Sequence, residues 1–246
     1  MLSETATGGD LDDATVRRVR GRLLAWGRAN VRDYPWRSET DPWLTLVAEI
    51  LLQRTRAAQV VPVFREVRER YPAAADLVRA GPDAAAAMTA RLGIHWRGPL
   101  LYRLAETVVA NGGMPPESLE ALRAITGIGP YTAAAWLSLH RGRRAVIVDS
   151  NVARWLARMT GRPYHRDPRG VRWLQHLADG LTPVRAFRDY NLAVLDFTME
   201  ICTPRAPSCP VCPLRRDCVC GRARMDADTH HARQRNNCQC DRSTAG

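Results

Sequence analysis

Cys202, Cys209, Cys212 and Cys218 place four thiols in one short segment, separated by six, two and five residues. Four thiolates so close in sequence suit zinc or an iron–sulfur cluster, since both take a four-cysteine ligand set. All seven cysteines of the 246-residue chain lie beyond residue 201. A secreted disulfide scaffold would be short and would spread its cysteines, so the pattern points to one metal site in a cytosolic protein. Cys220, Cys238 and Cys240, with His230 and His231, are candidates for a second metal site in a tail poor in apolar residues.

Two carboxylates stand out against apolar surroundings. Asp149 ends the run Ala145-Val-Ile-Val148 and precedes Ser150-Asn151, which is good helix-capping chemistry and also a way to present an acid at a helix start. Glu49 interrupts the apolar stretch from Trp43 to Leu52. Thr45, Glu49, Gln53 and Arg56 recur at helical steps, which by periodicity fits a solvated polar face. Between these acids, Gly127-Ile-Gly129-Pro130 joins two short helical segments. Glycines allow close approach of a ligand to the backbone, and amides at a turn and helix start can bind phosphate.

Every basic residue other than histidine is arginine. Without lysine there is no Schiff base through a side-chain amine, no phosphate-loop lysine and no pyridoxal lysine. The formal charge of +11 and pI near 10.1 point to a polyanionic partner, with nucleic acid first. The excess is concentrated late in the chain: residues 141–246 hold 19 arginines against 10 acids, residues 1–140 hold 17 against 15.

The elements that must carry these residues read as helices. Val16, Val19, Leu23, Leu24 and Trp26 keep helical spacing ahead of Tyr34-Pro35-Trp36, and Asp41-Pro42 starts the helix bearing Glu49. Further helices are expected at 57–70, 83–91, 99–111, 117–124, 130–140, 150–160, 170–179 and 184–200, with Gly and Pro between them. From Gly221 onward apolar residues nearly vanish, so 221–246 reads as a mobile, disordered tail. No stretch has the length and apolarity of a signal peptide or membrane span, and a cytoplasmic protein is expected.

Over about residues 15–218, the Glu49 helix, the Gly127–Gly129 hairpin, Asp149, the helix from Arg188 to Ile201 and the cysteine loop come in an order that resembles the helix-hairpin-helix DNA glycosylases. The likeness is to the iron–sulfur branch of endonuclease III and the adenine glycosylases, and within it to the thymine mismatch glycosylases. The resemblance implies an all-α, two-lobed fold with DNA across the cleft. It implies a six-helix barrel at 38–141 with the hairpin at 118–140, and a second lobe from 1–37 and 142–220 with a [4Fe-4S] loop at 202–218.

The resemblance also assigns roles. Gly127, Gly129 and Thr132 would grip a phosphate without reading sequence. Asp149 would be the catalytic aspartate that stabilises positive charge on the sugar, Glu49 would lie in the base pocket, and Gln53-Arg54 would fill the gap left by a flipped nucleotide. His95 and Trp96, in a loop lacking the tyrosines of adenine glycosylases, are further DNA-contact candidates; Trp96 would be a wedge, a stacking platform or core. Members that cut the backbone carry lysine where this chain has Tyr131, a pocket residue or a packing aromatic. The resemblance therefore implies a monomeric, monofunctional glycosylase acting on mismatched or damaged duplex DNA, thymine or uracil opposite guanine first. Adenine opposite guanine or 8-oxoguanine is the alternative, and a non-catalytic iron–sulfur DNA-binding protein the alternative of another class.

Overall fold

The computed structural model describes residues 11–93 and 95–229, the last four through their backbone alone. Regular structure among them is entirely helical. The helices are α1 (Asp13–Asn30), α2 (Pro42–Leu51), α3 (Ala57–Arg70), α4 (Ala74–Ala80), α5 (Pro82–Ala90) and α6 (Arg97–Ala110). They continue with α7 (Leu119–Ala124), α8 (Pro130–His140), α9 (Ser150–Thr160), α10 (Arg172–Leu181), α11 (Phe187–Glu200) and α12 (Val219–Thr229), with a 3₁₀ turn at Cys209–Val211. The chain forms two compact units, one from residues 33–145 and the other from 11–32 together with 146–229.

In the first unit α2 is the axis. Asp41 caps it by accepting from the Leu44 amide at 2.9 Å, and Pro42 occupies the first helical turn, where its missing N–H costs nothing. Every residue from Trp43 to Leu51 is buried, as expected of a helix surrounded by others. α3, α6 and α8 pack on it, and Leu46, Ile50, Phe64, Leu104 and Trp136 fill the shared core. α4 has no counterpart in the sequence reading. Its N-cap is Ala73, which has no capping side chain; instead Asp76 reaches back to accept from the Ala73 amide at 3.0 Å.

In the second unit α1 lies along α11, and α9, α10 and α12 complete the core. Phe197 meets the edges of Trp26 and Trp155 at centroid distances of 5.8 and 6.1 Å. α9 is strongly two-sided: Val152, Trp155, Leu156 and Met159 enter this core. The sequence reading of a disordered tail from Gly221 is corrected here, because α12 runs to Thr229. Tertiary contacts supply what local composition lacks: Cys220 is buried, α12 packs on α9, and Cys218 caps the helix, its sulfur accepting from the Gly221 amide at 3.4 Å. Cys238, Cys240, His230 and His231 lie outside the described residues. No described helix is long and apolar enough to cross a membrane.

Candidate functional site

The stripe from Thr45 to Arg56 does not run along one helix, because α2 ends at Leu51 and Arg56 is the N-cap residue of α3, and its α2 part is buried rather than solvated. Thr45 and Glu49 are 1% and 6% exposed, while Gln53 is half-buried and Arg56 is on the surface. Three side chains of this stripe each meet α8, at residues four apart. Thr45 Oγ1 accepts from Trp136 Nε1 at 3.1 Å, Glu49 Oε1 lies 3.1 Å from His140 Nε2, and Gln53 Nε2 donates to Thr132 Oγ1 at 3.1 Å. Gln53 Nε2 also donates to the Gly127 carbonyl at 3.1 Å. The carboxylate helix is thus tied to the hairpin by side-chain hydrogen bonds within one unit.

The hairpin is α7, a turn and α8. Ser118 caps α7 by accepting from the Ala121 amide, whereas α8 begins at Gly129 with no side-chain cap. The two glycines differ in what holds them. Gly127 has φ +84° and a Cβ there would stand 2.1 Å from Leu100 Cδ1, so the fold itself forbids a side chain. Gly129 is extended at φ −78°, and an added Cβ would meet nothing within 4 Å. Gly127→Ala is expected to cost about 3 kcal/mol through backbone strain and overpacking, lowering the thermal midpoint by about 6–12 °C in a melting experiment.

Arg54 is exposed and adopts φ +55°, an uncommon conformation for a side-chain-bearing residue. Its neighbours hold it there. Gln53 is pinned as described, and the fully buried Arg97 donates through Nη2 to the Gln53 carbonyl and to Thr55 Oγ1. Burial lowers the Arg97 pKa. Trp96, beside the exposed His95 at the start of α6, is 47% exposed, which excludes the core reading of this residue. Tyr131 is half-buried in the first turn of α8.

In the other unit Asp149 is the N-cap of α9. Oδ1 accepts from the Asn151 and Val152 amides at 2.9 and 2.8 Å, and Oδ2 accepts from Asn151 Nδ2 at 2.8 Å. The polar chain continues, since Asn151 Oδ1 accepts from Arg154 Nη1 at 2.9 Å. Arg154, 8% exposed, then donates through Nε and Nη2 to the Cys202 carbonyl, at 3.1 and 2.9 Å, and through Nη2 to the Thr198 carbonyl. Burial lowers the Arg154 pKa, with the Cys202 sulfur acting the other way. Neither Arg154 nor Arg158 was singled out from the sequence. The only available signal was their four-residue spacing on a helix otherwise lined by apolar residues.

Cys202, Cys209, Cys212 and Cys218 line one cavity, walled on its apolar side by Trp155, Phe197 and Leu214. Arg158 braces the loop, donating to the Thr203 and Pro204 carbonyls at 2.6 and 2.8 Å and standing 3.6 Å from the Cys202 sulfur. From α1, Arg18 and Arg22 hold Asp217, one residue before the last cysteine. Burial pushes the Cys212 thiol up to about 11 and the Cys218 thiol up to about 12, with neighbouring cysteine sulfurs adding to both. Thiols so placed lose their protons readily only to a cation, a donor chemistry that fits a four-cysteine cluster. Among the described residues no three His, Cys, Asp or Glu side chains converge on a single metal-ion position.

No protein-family model matches the chain. Among known proteins it is 35% identical over 209 residues to a thymine/uracil-DNA glycosylase of Pyrobaculum aerophilum, spanning 82% of this chain and 90% of that one. It is 33% identical over 220 residues to the adenine DNA glycosylase of Homo sapiens, spanning 84% of this chain but 40% of that protein. A solved thermostable thymine-DNA glycosylase superposes with a TM-score of 0.78 at 29% identity, covering 86% of this chain and 98% of its own. A buried acid helix tied to a glycine hairpin, an aspartate at a helix start and an all-helical fold now stand beside likeness over most of the chain, and the chain belongs to the helix-hairpin-helix DNA glycosylases.

Proposed function

We propose that this glycosylase hydrolyses the N-glycosidic bond of thymine or uracil paired with guanine and leaves the DNA backbone intact. Tyr131 carries the reading: by the resemblance it occupies the position at which lyase-type members have lysine, and the chain has no lysine at all. The thymine/uracil-DNA glycosylase relative, matched over nine-tenths of its length, supports the choice of base. A mismatched base also costs less to extrude than a paired one.

In this reading Glu49 lends its proton to the departing base and Asp149 stabilises positive charge on the sugar and orients water. Gly127, Gly129 and Thr132 hold a phosphate of the duplex, Gln53, Arg54 and Trp96 with His95 support the distorted strand, and the protein acts as a monomer. Cys202, Cys209, Cys212 and Cys218 hold a [4Fe-4S] cluster, which would tie the loop and set the local field when bound.

The test incubates the protein with duplexes bearing G:T, G:U, A:G or A:8-oxoguanine pairs, followed by hot alkali or by borohydride. Strand breaks at T and U alone, only after alkali, are the expected result. Breaks at adenine would transfer the reading to adenine removal. Borohydride-trapped adducts at an internal residue would overturn the monofunctional assignment.

A further inference from the structure

His140 ends α8, and its side chain is 2% exposed, beside the 6% exposed Glu49. Among the described residues the imidazole is engaged through one atom: Nε2 lies 3.1 Å from Glu49 Oε1, while Nδ1 is buried with no partner there. That imbalance fixes the tautomer. A buried N–H without an acceptor costs more than a bare lone pair, so the proton belongs on Nε2 and is donated to Glu49 Oε1.

The carboxyl group then has two unequal oxygens. Oε1 is occupied as an acceptor, and Oε2 makes no hydrogen bond among the described residues. When Glu49 is protonated while Oε1 accepts from His140, its proton is placed on Oε2, the oxygen with no hydrogen bond among the described residues. The other links between α2 and α8, Thr45 with Trp136 and Gln53 with Thr132, fix the helices but touch neither carboxyl oxygen.

We propose that His140 is a positioning residue for Glu49: its Nε2–H holds Oε1, keeps the carboxyl in one orientation and directs the acid proton to Oε2. This rests on the reading that Glu49 delivers a proton to the departing base. It adds a second group to that step, one supplied by α8 and 91 positions away in sequence.

The test uses the full chain with its metal complement and compares single-turnover excision from a G:U duplex with affinity for the same duplex bearing a non-hydrolysable sugar. His140→Leu should slow excision about 30-fold, less than the ~100- to 10,000-fold that a whole acid–base group contributes, with affinity changed less than about twofold. His140→Gln retains an N–H near the position of Nε2 and should recover most of the rate. In a Glu49→Gln background, His140→Leu should add nothing, because the group it positions is gone. Melting midpoints of all variants separate misfolding from loss of positioning.

Equal slowing by the Leu and Gln variants would reduce His140 to a space-filling residue and overturn the proposal. Wild-type rate in His140→Leu with Glu49→Gln slow would overturn it alone. Wild-type rate in Glu49→Gln would remove the reading of Glu49, and the proposal with it.

Discussion

Asp149→Asn is expected to lower base excision by about a hundred- to a thousandfold while leaving duplex binding within a few-fold of the parent. The shape of the side chain is kept, so the loss isolates charge and hydrogen-bond polarity. One amide oxygen can still accept from the Asn151 and Val152 backbone, and the α9 cap should lose only about 1 kcal/mol. The other position becomes a donor facing Asn151 Nδ2, itself a donor. Turning the Asn151 amide over relieves that clash only by setting its NH2 against the Arg154 guanidinium. Single-turnover excision beside a binding titration checks this, and normal turnover would remove Asp149 from the chemistry.

The second large effect is expected at Arg154. Its guanidinium satisfies the carbonyls of Cys202 and Thr198 and the side chain of Asn151 from a buried position. Arg154→Met fills similar space but strands these acceptors, at a cost of about 3 kcal/mol, or about 6–12 °C in thermal midpoint. Two consequences should appear together. With the proposed cluster bound, the iron-to-protein ratio should fall, because Cys202, its first proposed ligand, loses its backbone anchor, and excision should slow, because Asn151 no longer holds Asp149 Oδ2 in place. Arg154→Lys, with a point charge and no planar fork, should restore little of either. Full iron content and full turnover in Arg154→Met would show that the bonded chain has no influence at either end.

Local signals read well where the residue and its reason are neighbours. Asp41-Pro42 announced α2, and the 57–70 and 130–140 helices fall where periodicity placed them. Asp149 offered two readings, a helix cap or a functional acid, and its geometry makes it a cap with both oxygens engaged. What sequence hid was long-range. Nothing around His140 points to Glu49, because the pair exists only once α2 and α8 cross. Arg97, Arg154 and Arg158 are arginines, residues that pattern reading assigns to the surface, yet each is buried with carbonyl or hydroxyl partners from distant segments. α12 escaped for the same reason, since its start depends on a cysteine cap and a neighbour rather than on its own composition.

The two hairpin glycines carry one further implication. Because Leu100 and a left-handed backbone enforce Gly127 while no described residue stands within 4 Å of a Cβ added at Gly129, folding constrains the first glycine and leaves the second free. A glycine that packing does not require, placed at the start of α8, is what the proposed grip on a phosphate would need there.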